Sequence, residues 1–535
     1  MTRSLPSISA LVRAGAVERA WELFESGGFA ARSADPAALA LKGRLLKARA
    51  RGAAPTVQSC LFSEAAAAYR TANSLAPAPY LAINAATLEL LAGNPDAARE
   101  AARSVLAMLD GDPAPLDTPY FLAATRAEAM LLLGDQAAAR QALELAIAEN
   151  PAGWDDRAAT ITQLREIVAA QGDDSGWLLP YSVPASLHFA GHIGIRSGGS
   201  SEAELHRALD AWLAEQRIGF AWGALAAGVD IVIAERLLAH GAELHVVLPC
   251  PVDAFEAQSV LPAGSEWATR FRAALAAAAS VRVAGADSTS LHDPIATAHA
   301  GELAIGGALA GAARRASAAC QLIVTDADGG GTNTARQAQM WPPGAGEQVR
   351  LTIPRDAAVD ALFPPETPDP ARHLAAHVAI GIADLADGTT CDPARIEALG
   401  RAIADALRAI PAAAIRAGAG RWEFALPDLR AALEAAARVQ RSLGQVDGAK
   451  ASIGIHLEIA RLVADPASGT QLVYGPAPAL ARRLMHYAPP GVIFASDDLA
   501  VALAARGAMP LRSELYLPDE RELGGSVHIL LPAAQ

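Results

Sequence analysis

Before residue 141 the chain writes the same turn three times. Leu11-Val12-Arg13-Ala14-Gly15-Ala16 runs into Ala20-Trp21, Leu91-Ala92-Gly93-Asn94 into Ala97-Ala98-Arg99, and Leu132-Leu133-Gly134-Asp135 into Ala138-Ala139-Arg140. Each is an apolar helix end, then a glycine able to take the left-handed backbone of a helix terminus, then a second helix opening on small residues. Gly93 and Gly134 lie 41 residues apart, and Gly15 precedes Gly93 by nearly twice that. One helical hairpin cannot bury its own apolar face, so hairpins repeating at such a period must stack. The pattern predicts an all-α helical repeat solenoid over residues 1–172.

Hydrophobic residues make up 52% of the chain but aromatics only 5%. Alanine supplies much of the apolar count, so the cores are expected to be closely packed helices and Val/Ile/Leu strands. Within the repeats, Pro79-Tyr80-Leu81-Ala82-Ile83-Asn84-Ala85-Ala86-Thr87-Leu88-Glu89-Leu90-Leu91-Ala92-Gly93 is similar to the tetratricopeptide-like TRAF-binding-type repeat domain. That domain lies upstream of the kinase domain in MAP-kinase-kinase-kinases and occurs in bacterial relatives; the likeness covers about residues 60–172. It implies a regulatory module that takes a protein partner. Asn84 is the polar residue of this apolar helix, and an amide satisfying a neighbouring backbone group is preferred there to a ligand contact.

After residue 176 the period changes. Ser186-Leu187-His188-Phe189-Ala190-Gly191-His192 reads as a buried strand ending in a glycine turn, followed by a helix over 202–216 and the strand Ile218-Gly219-Phe220-Ala221-Trp222. Gly223-Ala224-Leu225-Ala226-Ala227-Gly228-Val229-Asp230 opens another helix, and Glu243-Leu244-His245-Val246-Val247-Leu248 is a third strand. Near-continuously apolar strands alternating with helices predict a parallel sheet with Rossmann-like winding. Gly223 and Gly228 flank a turn whose amides can face an anion at a helix N-terminus. A second helix-opening turn, Asp328-Gly329-Gly330-Gly331-Thr332, follows the strand Gln321-Leu322-Ile323-Val324-Thr325.

Together the Gly-x4-Gly-x-Asp-x4-Glu spacing (Gly223, Gly228, Asp230, Glu235) and the Gly-Gly-Thr turn resemble the SLOG superfamily over residues 183–355. These are nucleotide-sensing relatives of the lysine-decarboxylase-like cytokinin-activating enzymes. Gly191, Gly223, Gly228, Gly330, Gly331 and Thr332 are the candidate phosphate cradle. Asp230 and Glu235 are candidates for the ribose or base, or for hydrolysis as in the catalytic relatives, while Asp230 also suits a plain first-turn acid. His192 is a further candidate contact, although a lone histidine at a strand end is more often structural. The Arg and Glu pair that the base-cleaving relatives carry on the second helix has no evident counterpart, which favours sensing over hydrolysis.

A Pro-rich stretch over residues 354–370 reads as a linker. Beyond it stand His377-Val378-Ala379-Ile380-Gly381-Ile382-Ala383-Asp384-Leu385, then Ile415-Arg416-Ala417-Gly418-Ala419-Gly420, then Tyr474-Gly475, Ala481-Arg482-Arg483-Leu484 and Ala488-Pro489-Pro490-Gly491. In order and spacing these resemble the class III adenylate/guanylate cyclase catalytic domain, which implies an α/β, ferredoxin-like fold over residues 371–535. In that family two carboxylates bridge two metal ions and an Arg offsets charge at the phosphorus. Carried over, Asp384 takes the first metal position and Arg483 the transition-state position, whereas the second metal Asp is Ala419 and the ribose-orienting Asn is Ala479. The purine-reading positions fall on the apolar Ile415 and Leu472, so four of six groups are missing. Glu423, four residues past Ala419, would share its face if one strand ran through both. The resemblance implies a degenerate domain retained for dimerisation or regulation, with Asp384 the metal ligand and Mg²⁺ the metal only if it is active, and no cofactor required otherwise.

A net charge of −13 excludes a nucleic-acid scaffold. Cys60, Cys250, Cys320 and Cys391 have neither zinc nor disulfide spacing. With no signal peptide or membrane-length apolar run evident, the expectation is a cytoplasmic, homodimeric signalling protein sensing a nucleotide-derived ligand. Two enzymatic alternatives attach to the same resemblances: an active cyclase, and a nucleoside-monophosphate hydrolase.

Overall fold

The computed structural model describes residues 4–111, 118–285, 293–329, 331–363, 368–382, 393–408, 410, 413–418, 420–446, 448–464, 466, 471–507, 511–516 and 526–532. The chain divides into two compact units, one formed by Met1–Val183 together with Tyr516–Glu520 and a second formed by the rest from Pro184 on.

The first unit is helical, and its helices are α1 (Leu5–Arg13), α2 (Val17–Ser26), α3 (Pro36–Arg51), α4 (Pro55–Leu75), α5 (Pro79–Leu91), α6 (Pro95–Asp110), α7 (Pro119–Leu132), α8 (Gln136–Glu149) and α9 (Trp154–Gln171). Proline opens α3 to α7 at a position where its missing N–H costs no hydrogen bond. The three repeated turns close alike. Gly15, Gly93 and Gly134 take φ of 79°, 91° and 85°. The next N–H in each, from Ala16, Asn94 and Asp135, donates to Leu11 O, Glu89 O and Met130 O at 2.9, 2.9 and 3.0 Å. These turns fold α1 on α2, α5 on α6 and α7 on α8, so the unit fits a repeat solenoid. Asn84 donates to Tyr80 O at 2.8 Å, the backbone role expected of it. Alternate helices α3, α5, α7 and α9 meet around buried polar groups: Lys47 donates to Gln163 (3.1 Å), and Gln163 (3.1 Å) and Thr87 donate to Glu128. Burial holds the Lys47 ammonium below and the Glu128 carboxyl above their ordinary pKa values.

The second unit begins with β1 (Ala185–Gly191), α10 (Ser200–Leu213), β2 (Ile218–Gly223), α11 (Val229–Ala239), β3 (Glu243–Leu248), α12 (Val252–Ser259), α13 (Ser265–Ala277), β4 (Ser280–Val283), α14 (Pro294–Arg314), β5 (Ala319–Thr325), α15 (Thr332–Met340), β6 (Glu347–Thr352) and α16 (Ala357–Asp360). All six strands are parallel, in the order β4-β3-β2-β1-β5-β6. Alternation along β1 sends Leu187 and Phe189 into a core with α10, α11 and α13. Its opposite face meets α14 and α15. From β1 the chain steps outward to β4, then α14 carries it back to β5 on the other side of β1. Strand order therefore reverses between β1 and β5, where open α/β sheets leave a crevice beyond the strand carboxyl ends.

The chain continues through β7 (Arg372–Gly381), α17 (Pro393–Leu407), β8 (Ala413–Gly418), β9 (Arg421–Leu426), α18 (Leu429–Gly444), β10 (Ser452–Ala464), β11 (Gln471–Tyr474), α19 (Ala477–Tyr487), β12 (Ile493–Ser496), α20 (Asp497–Arg506), β13 (Leu511–Tyr516) and β14 (Val527–Pro532). The first six elements form a βαββαβ unit with the order β10-β7-β9-β8, each pair antiparallel, which is the ferredoxin-like split βαβ arrangement. α17 and α18 cover one face, packing on Val378, Ile380 and Ile455. On the other, α19 seats Ala481 and Met485 on Ala379.

The two sheets are joined by more than a linker. α14 packs along α20, and a Cβ on Gly306 would stand 1.9 Å from Val501 O. Arg506 pairs with Glu302 (2.5 Å), Arg372 with Asp293 (2.6 Å), and Arg282 with Asp497 (2.7 Å) and Asp498 (2.6 Å). No described helix is long and apolar enough to cross a membrane.

Candidate functional site

A cavity of about 480 Å³ opens at the β1/β5 reversal, within the size range of small-molecule sites. Its walls come from the ends of β1 and β3, the starts of α11 and α15, one side of α14, and the chain beyond β6.

Gly191 ends β1, and its N–H donates to Asp230 Oδ1 at 2.8 Å. A Cβ on Gly191 would stand 2.2 Å from Val229 Cγ1, so glycine lets α11 start against the strand end. Asp230, in the first turn of α11, lines the cavity while nearly fully buried. Burial pushes its carboxyl up to about 7, against the lowering effect of the Gly191 and Ala226 amides. At neutral pH it therefore populates both protonation states, and it can donate or accept toward the cavity. His192 also lines the cavity, with its Nε2 bonded to Ile353 O at 3.0 Å, which fixes a proton on that nitrogen and ties the end of β1 to the end of β6.

Opposite, Gly331 and Thr332 begin α15, and Thr334 Oγ1 donates to Gly191 O at 2.9 Å. Arg355 completes this wall. It pairs with Asp326 at 3.1 Å, and its Nη2 would lie 3.7 Å from a Cβ on Gly331. A helix N-terminus and a guanidinium thus face one glycine turn, a favourable arrangement for an anion.

The structure brings together Gly191, His192, Asp230, Gly331 and Thr332, and Gly330 lies outside the described residues. Gly223, Gly228 and Glu235 do not line the cavity themselves, although Ala224 and Ala226, in the turn between the two glycines, do. Gly223 leaves room for the Phe189 ring, 2.6 Å from where its Cβ would be. Gly228 holds φ 99° and ψ −123°, with a would-be Cβ 2.9 Å from Ile193 O, so the turn into α11 itself requires glycine there. Glu235, on the second turn of α11, chelates Arg270 at 2.8 and 2.6 Å, and Arg270 also meets Glu202 at 2.7 Å. The stretch read as a linker is partly a wall of the site, since Arg355 and Phe363 line the cavity. Arg355 was legible only through β6, whose Val349 and Leu351 alternate with polar residues. A residue just past the carboxyl end of a parallel strand is where such folds place ligand contacts.

In the C-terminal sheet, Asp384 and Ala419 lie outside the described residues. Their flanks are adjacent: Ile382 N–H donates to Gly420 O at 3.1 Å, and Gly381 pairs with Arg421. Glu423 does not continue a strand through Ala419. Gly418 pairs with Arg421 across a hairpin, which puts Glu423 on the return strand opposite Arg416 and Ala379, 3.8 Å from Arg482. Ala479 and Arg483 are exposed on α19. Among the described residues no group of three or more His, Cys, Asp or Glu side chains is placed to hold a metal ion, and Glu423 faces Arg482. The hollow over this face, bordered by His377 and Glu423, holds about 40 Å³.

No protein-family model matches the chain, and no curated protein matches it. Solved structures that align with part of it include cyclase domains. An adenylate cyclase from Trypanosoma brucei is 14% identical over 30% of this chain and 89% of its own, with a TM-score of 0.26. The dimeric guanylyl cyclase domain of a RhoGC fusion protein from the aquatic fungus Blastocladiella emersonii is 11% identical over 30% and 98%, TM-score 0.26. The adenylyl cyclase CyaB from P. aeruginosa is 10% identical over 31% and 95%, TM-score 0.26.

Proposed function

We propose that this protein is a nucleotide-responsive regulatory protein. Its central cavity binds a nucleotide-derived ligand, its cyclase-homology domain dimerises or regulates without turnover, and its helical repeats take a protein partner. The observation that carries this reading is the cavity itself: a ligand-sized space at the strand-order reversal, with Arg355 and the start of α15 on one glycine turn. A phosphate there would be met by backbone amides and a guanidinium, and the remaining space would take the nucleoside. Retained backbone order with Ala419 and Ala479 in place of reactive groups supports a domain kept for association.

The test is a thermal-shift screen of the full chain over nucleoside mono-, di- and cyclic phosphates. A ligand at 100 times its Kd adds about 2.7 kcal/mol to the native state. Gly331→Val is the site control. Its backbone is ordinary extended chain (φ −71°, ψ 160°) and a Cβ there meets only Arg355 Nη2, at 3.7 Å. The variant should keep its melting point and lose the shift. A full shift in a folded Gly331→Val protein rejects the cavity as the site.

One observation favours a second reading. Asp230, held near neutrality in the cavity wall, is placed as a general acid or base is, which supports hydrolysis of a nucleoside monophosphate. Release of free base, abolished in Asp230→Asn, would establish that reading.

A further inference from the structure

Beneath the cavity, four buried or half-buried polar side chains run in series from the edge of the sheet to the cavity wall. Arg350 donates through Nε (3.2 Å) and Nη2 (2.9 Å) to Gln348 Oε1, which identifies that atom as oxygen. Gln348 Nε2 then donates to Ala338 O (2.8 Å) and to Gln321 Oε1 (2.5 Å). Gln321 Nε2 donates to Gln337 O at 3.1 Å. A backbone carbonyl only accepts, so the Gln321 atom at that position is nitrogen. The same nitrogen lies 3.0 Å from His188 Nδ1, which must therefore accept. His188 is fully buried, and burial lowers its pKa to about 4, so the ring is neutral and carries its proton on Nε2. That proton goes to Gln337 Oε1, 2.9 Å away.

Each step leaves the next no choice. Two backbone carbonyls and one guanidinium fix the direction of the chain, and it ends by assigning the Gln337 carboxamide: oxygen toward His188, nitrogen away from it. Gln337 lines the cavity, and its Nε2 would lie 3.3 Å from a Cβ on Gly301, another cavity residue. Among the described residues that nitrogen meets no acceptor.

We infer that Gln337 is the residue that selects the ligand's base, offering amide N–H donors that cannot flip, so that the cavity takes a nucleotide with a carbonyl oxygen at that edge and rejects one with an amino group. The inference rests on the nucleotide reading of the cavity. Flipping Gln337 would point its N–H₂ at the His188 N–H and strand the buried proton, which is why an ordinary amide's indifference is lost here. Gln337 stands five residues beyond Thr332, about 7.5 Å along α15. This separates it from the anion-facing turn by roughly the reach of a sugar.

Inosine and adenosine 5′-monophosphate test this directly, because they present a carbonyl oxygen and an amino group at the same ring carbon. Calorimetric titration of the full chain should show inosine monophosphate binding tighter by about 10-fold or more. Gln337→Glu keeps an oxygen for His188 and replaces the donor nitrogen with a second oxygen, so the preference should vanish or invert. Gln337→Met, which removes both groups at similar volume, should also lose it and guards against a folding defect in the charged variant. Equal binding by the unaltered protein, or a preference that survives in both variants, overturns the inference and leaves the nucleotide reading standing. Failure of both nucleotides and of every other nucleoside phosphate to bind overturns the two together.

Discussion

Gly306→Val tests whether the two α/β halves of the second unit act as one body. Gly306 is where α14 crosses α20, and a Cβ there would stand 1.9 Å from Val501 O and 2.6 Å from Val501 C. Ordinary contact begins near 3.4 Å, so the helices must part by about 1.5 Å (3.4 less 1.9). What lies on the far side is backbone of a helix, which cannot swing away as a side chain does. Gaps of 0.5–1 Å already forfeit a quarter to a half of each dispersion well. The contacts at stake are those of Val501 with Leu303 and Ala304, and the cluster of Ile305, Trp341 and Ala505. Overpacking of this kind costs about 1–3 kcal/mol. Each kcal/mol shifts the melting point of a domain of 150–250 residues by about 2–4 °C and that of a larger cooperative unit by less, so a fall of about 2–4 °C is expected by calorimetry of the full chain. The control is Gly400→Ala, a helical glycine whose added Cβ meets nothing within 4 Å. It should gain up to about 1 kcal/mol. A Gly306→Val protein that melts with the parent, with a single unbroken transition, would refute the close crossing and the coupling argued from it.

Asp230 makes stability depend on pH in an uncommon direction. Its folded pKa, about 7, lies above that of an unfolded Asp. The native state therefore binds the extra proton, and stability falls as pH rises between roughly 4 and 7. The melting point of Asp230→Asn relative to the parent should climb across that window and level off above it; a difference constant from pH 4 to 8 would contradict the burial argument. Gly228→Ala should destabilise the protein without reporting on ligand, because φ 99° and the Ile193 carbonyl at 2.9 Å both oppose a Cβ. Denaturant midpoints measure this, and an unchanged midpoint would return Gly228 to the ligand turn. With Mg²⁺ or Mn²⁺ and ATP or GTP, no cyclic product above background is expected, since Ala419 offers no metal ligand. Product formation that disappears in Asp384→Ala would reject the non-catalytic reading.

Legibility in this sequence follows the range of the interactions involved. The turns at Gly15, Gly93 and Gly134 were readable because a helix terminus is decided within six residues, and the hydrogen bonds that close them span five. β1, β2, β3 and β5 were readable because these inner strands are apolar over most of their length, even though β1 and β5 bury Ser186, His188 and Gln321. β4 and β6 lie at the two edges, are more exposed, and carry charged residues, so the same rule passed over them. Missing β6 turned Arg355 into a linker residue and hid a wall of the site. Glu235 failed differently: spacing on α11 put it near Asp230 in sequence, but five residues are more than a helical turn, and Arg270 and Glu202 claimed it from other elements. Counting four residues from Ala419 to Glu423 misses that the chain reverses between Gly418 and Arg421. The amide series from Arg350 to Gln337 had no local signature at all. Its members come from β6, β5, β1 and α15, and only the register of three parallel strands brings Gln348, Gln321 and His188 into line. A donor fixed by partners so far apart in sequence is costly to lose by any single substitution, since each removal leaves a buried polar group unpaired. This is the physical reason to look for specificity at Gln337 rather than at the glycines that first drew attention to the site.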